Sequence, residues 1–142
     1  MSIAFKDFRI GGVHIGLPII QGGMGVRVST ASLASAVSNE GALGVIAAVA
    51  LGEGEEGQAQ DYRERSRASL TESIQETRER TKNPFGVNIM CALSNYDDLV
   101  DAAQDASVDV IISGAGLPLK LPAMVKNPRT KIVPIVSSAR AA

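Results

Sequence analysis

The sequence predicts an α/β fold built on a parallel sheet, and three observations carry that prediction. Short runs rich in valine and isoleucine recur at Pro18–Gln21, Leu43–Val49, Phe85–Met90, Val108–Ser113 and Lys131–Ser137. Segments of helical character lie between successive runs, as parallel neighbours require, because their crossovers take about a dozen residues or more. The runs are nearly continuous in apolar residues, as strands covered on both faces are.

The elements follow in order. Phe5–Ile15 alternates loosely around Gly11-Gly12 and predicts a β-hairpin, expected to cover the end of the sheet where the strands begin. A first helix is predicted over Thr30–Asn39, with Ser29 as its N-cap, Leu33, Ala34 and Val37 as its apolar stripe and Gly41 as its stop. The second, Asp61–Thr81, is highly charged, with Tyr62, Leu70 and Ile74 forming a thin stripe before Asn83-Pro84 ends it. A third runs from about Asn95 to Ala106 and buries Leu99, Val100 and Ala103; a short fourth lies near Leu119–Val125. Pro134 falls inside the last run and cannot donate to a ladder, so it marks either a bulge or a strand shorter than the run.

At 142 residues the chain is the size of one domain. A single domain over 1–142 is expected, with the hairpin in 1–16 and the β/α units in 17–142. Lys and Arg number 14 against 15 Asp and Glu, with no basic stripe interleaved with aromatics, so nucleic acid is not an expected partner. One cysteine, Cys91, excludes an intramolecular disulfide, and the N-terminal MSIAFKDF has neither a basic nor an apolar leader region. The expected location is the cytoplasm. The longest apolar stretch, Ala42–Leu51, is half of the ~20 residues a spanning helix needs, so no membrane segment is expected.

One motif is refused on physical grounds. Gly52-Glu53-Gly54-Glu55-Glu56-Gly57 has the spacing of a dinucleotide-binding turn after a strand. Three glutamates beside a pyrophosphate would repel it, and the next helix starts too late to aim its N-terminus there. There is no Walker A spacing in Gly114–Lys120 and no Cys or His cluster, so no metal is expected. His14, the only histidine, lies before the first long run and reads as structural, and Cys91 reads as a small buried thiol.

The polar groups gather at strand ends. Alternation in Phe85–Met90 puts Phe85, Val87 and Ile89 on one face, toward helices, and Gly86, Asn88 and Met90 on the other. An inward Asn88 amide needs partners, since an unmet one costs roughly 1–3 kcal/mol; a loop backbone and a ligand both serve. The first run ends in Gln21-Gly22-Gly23-Met24, the fourth in Ser113-Gly114-Ala115-Gly116 and the fifth in Val136-Ser137-Ser138. Glycine permits close backbone approach, which suits a flat ligand lying against the main chain, although ordinary tight turns also use it.

Together "PIIQGGMGVRVSTASLASAVSNEGALGVIAA", "PFGVNIM", "DVIISGAGLPLKLP" and "KIVPIVSSARAA" resemble the nitronate monooxygenases, formerly 2-nitropropane dioxygenases. The likeness implies a TIM (β/α)8 barrel of the FMN-dependent type with the cofactor at the C-terminal strand ends. The chain would be an incomplete barrel of about five parallel strands, since a full one takes about 250 residues.

By that likeness Gln21, Gly22, Gly23, Met24, Asn88, Gly114, Ala115 and Gly116 are the cofactor-binding residues, and no residue is assigned as catalytic. The activity implied is oxidation of alkyl nitronates with O2 to a carbonyl compound and nitrite. A truncated, inactive fragment is expected, self-associating through open sheet edges or pairing with the missing C-terminal half. The alternatives are a flavin-dependent enoyl-acyl-carrier-protein reductase and a non-catalytic, self-associating half-barrel.

Overall fold

A computed structural model describes residues 8–52 and 59–141. The chain opens with an antiparallel hairpin of β1 (Phe8–Ile10) and β2 (Val13–Ile15), turning at Gly11-Gly12 as predicted, with Gly11 at φ +57°. Residues 5–7 of the predicted hairpin lie outside the described residues.

The body alternates helices and strands: α1 (Ala31–Asn39), β3 (Gly44–Ala47), α2 (Ala59–Arg80), β4 (Phe85–Met90), α3 (Tyr96–Asp105), β5 (Val110–Gly114), α4 (Leu121–Met124) and β6 (Lys131–Pro134). The four strands β3 to β6 pair side by side in chain order, all parallel. Parallel neighbours in sequence order, with helices on one face and a converging inner face, are how a TIM barrel begins.

The two faces have different chemistry. On the outer face Ile46, Phe85, Val87, Ile89 and Ile111 pack against Ala34, Leu70, Ile74, Leu99, Ala103 and Leu121 of the four helices. On the inner face Val45, Val110 and Ile112 cluster with Ile15 and Leu43, and with Phe8, Ile10 and Val13 of the hairpin. Val45 and Val110 stand near the strand starts, so the hairpin covers that end of the sheet, as expected.

Below the sheet, Asp109 Oδ2 accepts hydrogen bonds from Arg78 Nη2 at 2.8 Å and Phe85 N at 3.1 Å. The same guanidinium lies 4.4 Å above the Phe85 ring. One carboxylate thereby ties the end of α2 to the starts of β4 and β5.

Several elements differ from the sequence reading. Pro18–Gln21 forms a single parallel bridge, Ile20 to Leu43, and not a full strand. Gln21 N donates to Leu43 O at 3.0 Å, but the next ladder donor, Val45 N, goes to the Gln21 side-chain Oε1 at 2.9 Å. The ladder stops where that side chain replaces the main chain.

The helix α1 is capped by Thr30, not Ser29, and turns Ala31, Ala34, Ser35 and Ser38 inward. Leu33 is exposed and Val37 only half-buried. The cause is close approach, for a Cβ on Gly44 would lie 1.9 Å from Ala34 O, and only small residues fit such a seam.

The last strand ends at Pro134. Lys131 N and Ile135 N donate to Asp109 O and Ser113 O of the β5 side at 2.8 and 2.7 Å, so the intervening Pro134 nitrogen faces the open edge. The proline therefore removes no bond from the sheet. Residues 53–57 of the refused glycine motif lie outside the described residues. Gly52 is described, at φ +84°, and its Cβ position is 2.7 Å from Ser66 N of α2, so a helix packs directly on it. No described helix is long and apolar enough to cross a membrane.

Candidate functional site

The inner face of β4 places Asn88 beside Ala47 of β3 and Ile112 of β5, near the C-terminal rim. Its neighbours Phe85, Val87 and Ile89 are fully buried on the helix side, so the alternation read from the sequence holds and Asn88 faces inward, half-buried. Its Nδ2 donates to Ile112 O at a long 3.4 Å, and its main-chain O accepts from Ala48 N at 3.0 Å. Among the described residues Oδ1 has no partner, so the amide has spare capacity toward the interior.

The turn after Ile20 reaches this asparagine. A Cβ on Gly23 would lie 2.5 Å from Asn88 Cβ, closer than side chains approach, so the turn sits directly on the Asn88 side chain because residue 23 has none. Gly22 is different, being exposed, outside the left-handed region and with nothing within 4 Å of its Cβ position. Nothing in the described chain requires a glycine there. Met24 follows, largely exposed at 59%.

Beneath the turn is a buried polar cluster. Ser29 Oγ accepts hydrogen bonds from Met24 N and Gln21 Nε2, each at 2.8 Å. With Oε1 on Val45 N and Nε2 on Ser29 and on Gly22 O, both ends of the Gln21 amide are engaged inside the protein. Gln21 thus supports the turn from below. The sequence reads Ser29 as a helix cap and misses its part in the turn, because a serine ahead of a helix carries the same local signal whether it caps that helix or holds a neighbouring turn.

The Gly114-Ala115-Gly116 segment ends β5 on the same rim, farther round. Ala115 and Gly116 border a hollow of about 330 Å3 with Ile135 and Ser137, whereas Gln21–Met24 meet β3 and β4. The predicted cofactor residues thus fall into two groups, the first centred on Asn88 and the second on the β5–β6 opening. A Cβ on Gly114 would meet Ile135 Cδ1 at 2.9 Å, and one on Gly116 would meet Cys91 Cβ at 2.9 Å.

Behind β5, on the helix side, Ser113 Oγ lies 2.9 Å from Tyr96 Oη and 3.3 Å from Cys91 Sγ, and donates to Ile89 O at 3.1 Å. Burial raises the Tyr96 pKa above the usual phenol value, partly offset by the Ser113 hydrogen bond. Cys91 and Tyr96 border an outer cleft of about 580 Å3 with Leu93, Leu117 and Lys120. That cleft is larger than the inner hollow, yet it opens beside helices and away from Asn88. His14 lies on the hairpin, paired across from Arg9, at the other end of the sheet from the rim.

The geometry has parallels among solved structures. FabK from Thermotoga maritima superposes with a TM-score of 0.71 at 36% identity, over 89% of this chain and 36% of that one. Its M276A mutant matches alike, at 0.71 and 35% identity over 89% of this chain and 38% of that one. Nitroalkane oxidase from Streptomyces ansochromogenes shares the fold, with a TM-score of 0.67 at 22% identity, over 84% of this chain and 40% of that one. The chain therefore spans well under half the length of each, and its sheet is that of an incomplete TIM barrel. No curated protein sequence matches it. The family model for nitronate monooxygenase covers residues 6–142, which takes in the hairpin, the glycine turn and every strand, and the chain belongs to that family.

Proposed function

We propose that this chain forms the ring-facing part of an FMN-dependent oxidoreductase that oxidises alkyl nitronates with O2 to a carbonyl compound and nitrite. The observation that carries the proposal is the seating of the Gly22-Gly23 turn on Asn88 at the rim of the parallel sheet, in a chain of the nitronate monooxygenase family.

Two features fit a flat ligand there: the unfilled space at Gly22 and the unpartnered Asn88 Oδ1. When bound, FMN would supply the electron transfer that no side chain here offers. Gly22 and Gly23 would let main-chain groups approach the ring, Asn88 would orient it through its amide, and Met24 would shield it with an apolar side chain. Gly114, Ala115 and Gly116 would border the substrate side of the opening. Gln21 would act from beneath the turn.

The test is the full-length enzyme of which this chain would form the ring-facing part, purified and titrated with FMN. Flavin absorption retained through gel filtration, and nitrite released from an alkyl nitronate in the presence of O2, are expected. A colourless protein to which FMN does not restore colour refutes the proposal. A second reading, reduction of an enoyl thioester by NAD(P)H, rests on the higher identity to FabK, 36%, than to nitroalkane oxidase, 22%. Stopped-flow reduction of the bound flavin by NADPH separates the two, because the nitronate reaction needs no pyridine nucleotide.

A further inference from the structure

We propose that Ser29, with Gln21 as its partner, is a positioning residue that presents the Gly23 N–H to a hydrogen-bond acceptor on the bound ring. The inference rests on the flavin reading above and adds what holds the turn in shape. Ser29 is 2% exposed. Its Oγ accepts from Met24 N and Gln21 Nε2, each at 2.8 Å, and donates to Gly22 O at 3.3 Å. Its main chain is held as well, Ser29 N donating to Met24 O at 2.9 Å and Ser29 O accepting from Ala47 N of β3 at 3.0 Å.

These bonds lock both peptide groups that flank Gly23. Gly22 O belongs to the 22–23 peptide and is held by Ser29 Oγ and Gln21 Nε2, while Met24 N belongs to the 23–24 peptide and is held by Ser29 Oγ. In a trans peptide the N–H points opposite to the C=O. The Gly23 N–H therefore points away from the clamp, and it has no partner among the described residues. A glycine would ordinarily sample many conformations, but here its donor is fixed before any ligand arrives, which lowers the ordering cost of binding.

The experiment compares Ser29→Ala, Ser29→Cys and Ser29→Thr with Thr130→Ala. The last is a control that removes a buried hydroxyl bonded to Val108 O at 2.8 Å, at the opposite end of the sheet. Amide hydrogen exchange is read on the flavin-free protein, and FMN affinity and the flavin absorption maximum on the titrated one. In Ser29→Ala, exchange at Met24 rises about tenfold, FMN affinity falls about tenfold and the absorption maximum shifts, as loss of one well-made hydrogen bond predicts. Ser29→Cys lies between, and Ser29→Thr, which keeps the hydroxyl, recovers affinity.

Thr130→Ala lowers stability without changing FMN affinity or the spectrum. Wild-type exchange at Met24 in both Ser29→Ala and Ser29→Cys overturns the clamp. Affinity that falls in step with stability, in the control as in the Ser29 variants, overturns the positioning role. A wild-type protein that binds no FMN refutes the flavin reading and the role in presenting the donor, while exchange still decides whether the clamp exists.

Discussion

Replacing the adjacent glycines one at a time separates a glycine that the chain itself requires from one that it does not. A Cβ on Gly23 would lie 2.5 Å from Asn88 Cβ and 3.1 Å from its Cγ. Carbon atoms rest at about 3.5–4.0 Å, so the turn or the strand must yield by roughly 1 Å. The turn is tied to β3 through Gln21 and Ser29 and cannot lift freely. Forced overpacking of this kind costs about 1–3 kcal/mol.

At Gly22 nothing lies within 4 Å and φ is outside the left-handed region. Alanine there removes freedom from the unfolded chain and changes stability by between zero and a gain of about 1 kcal/mol. Thermal unfolding should therefore show Gly23→Ala lower in Tm by roughly 3–10 °C and Gly22→Ala unchanged or raised. Gly22→Val should keep the wild-type Tm and lose FMN affinity by about tenfold or more, about 1.4 kcal/mol, because its side chain fills the space the ring would take. Equal destabilisation by the two alanines would show that the turn does not rest on Asn88. Wild-type FMN affinity in Gly22→Val would remove the ring from this face of the turn.

Two further outcomes follow from groups away from the rim. Asp109→Ala should lower the unfolding free energy by about 1.5–3 kcal/mol, read as a lower urea midpoint, because it deletes the acceptor shared by Arg78 and Phe85 N. Asp109→Asn, which retains an acceptor for Phe85 N, should lose less. Burial raises the Tyr96 pKa, so the folded protein holds that proton to higher pH than the unfolded chain does. Its contribution to stability is complete below the ordinary phenol value of 10.0 and is lost as pH rises through the folded-state value. Between pH 10.0 and that folded-state value, denaturant midpoints should fall more steeply for the wild type than for Tyr96→Phe, and parallel slopes there would contradict the assignment.

The alternation of Phe85–Met90 could be read directly because a strand's period of two leaves one choice once the bulky face is assigned to helices. That period turns Asn88 inward, which is where the structure has it. Helix α1 was less legible. A helical period marks which residues share a stripe but not which stripe meets the sheet, and here the seam at Ala34 and Gly44 is too narrow for Leu33. Small residues won over large ones because main chains approach there, a fact about residues ten positions apart. Ser29 was misread for the same reason: its hydroxyl could serve Thr30 onward or Met24 behind, and only the arrangement of β3 decides.

The glycines of the rim differ in what they explain. Gly114 is required by Ile135, Gly116 by Cys91 and Gly25 by Val49 Cγ1, 2.1 Å from its Cβ position. Each of these is a glycine because another part of the same chain fills its side-chain space, so a tight turn accounts for it without any ligand. The apparent convergence of glycine-rich strand ends thus carries less weight than the sequence gives it. Gly22 alone among the glycines of the three rim turns has neither a neighbour nor a positive φ to account for it, and it stands next to the one that rests on Asn88. On the proposed function, a planar ring laid against the turn would be the neighbour that makes a small residue at 22 matter, and Gly22→Val tests that directly.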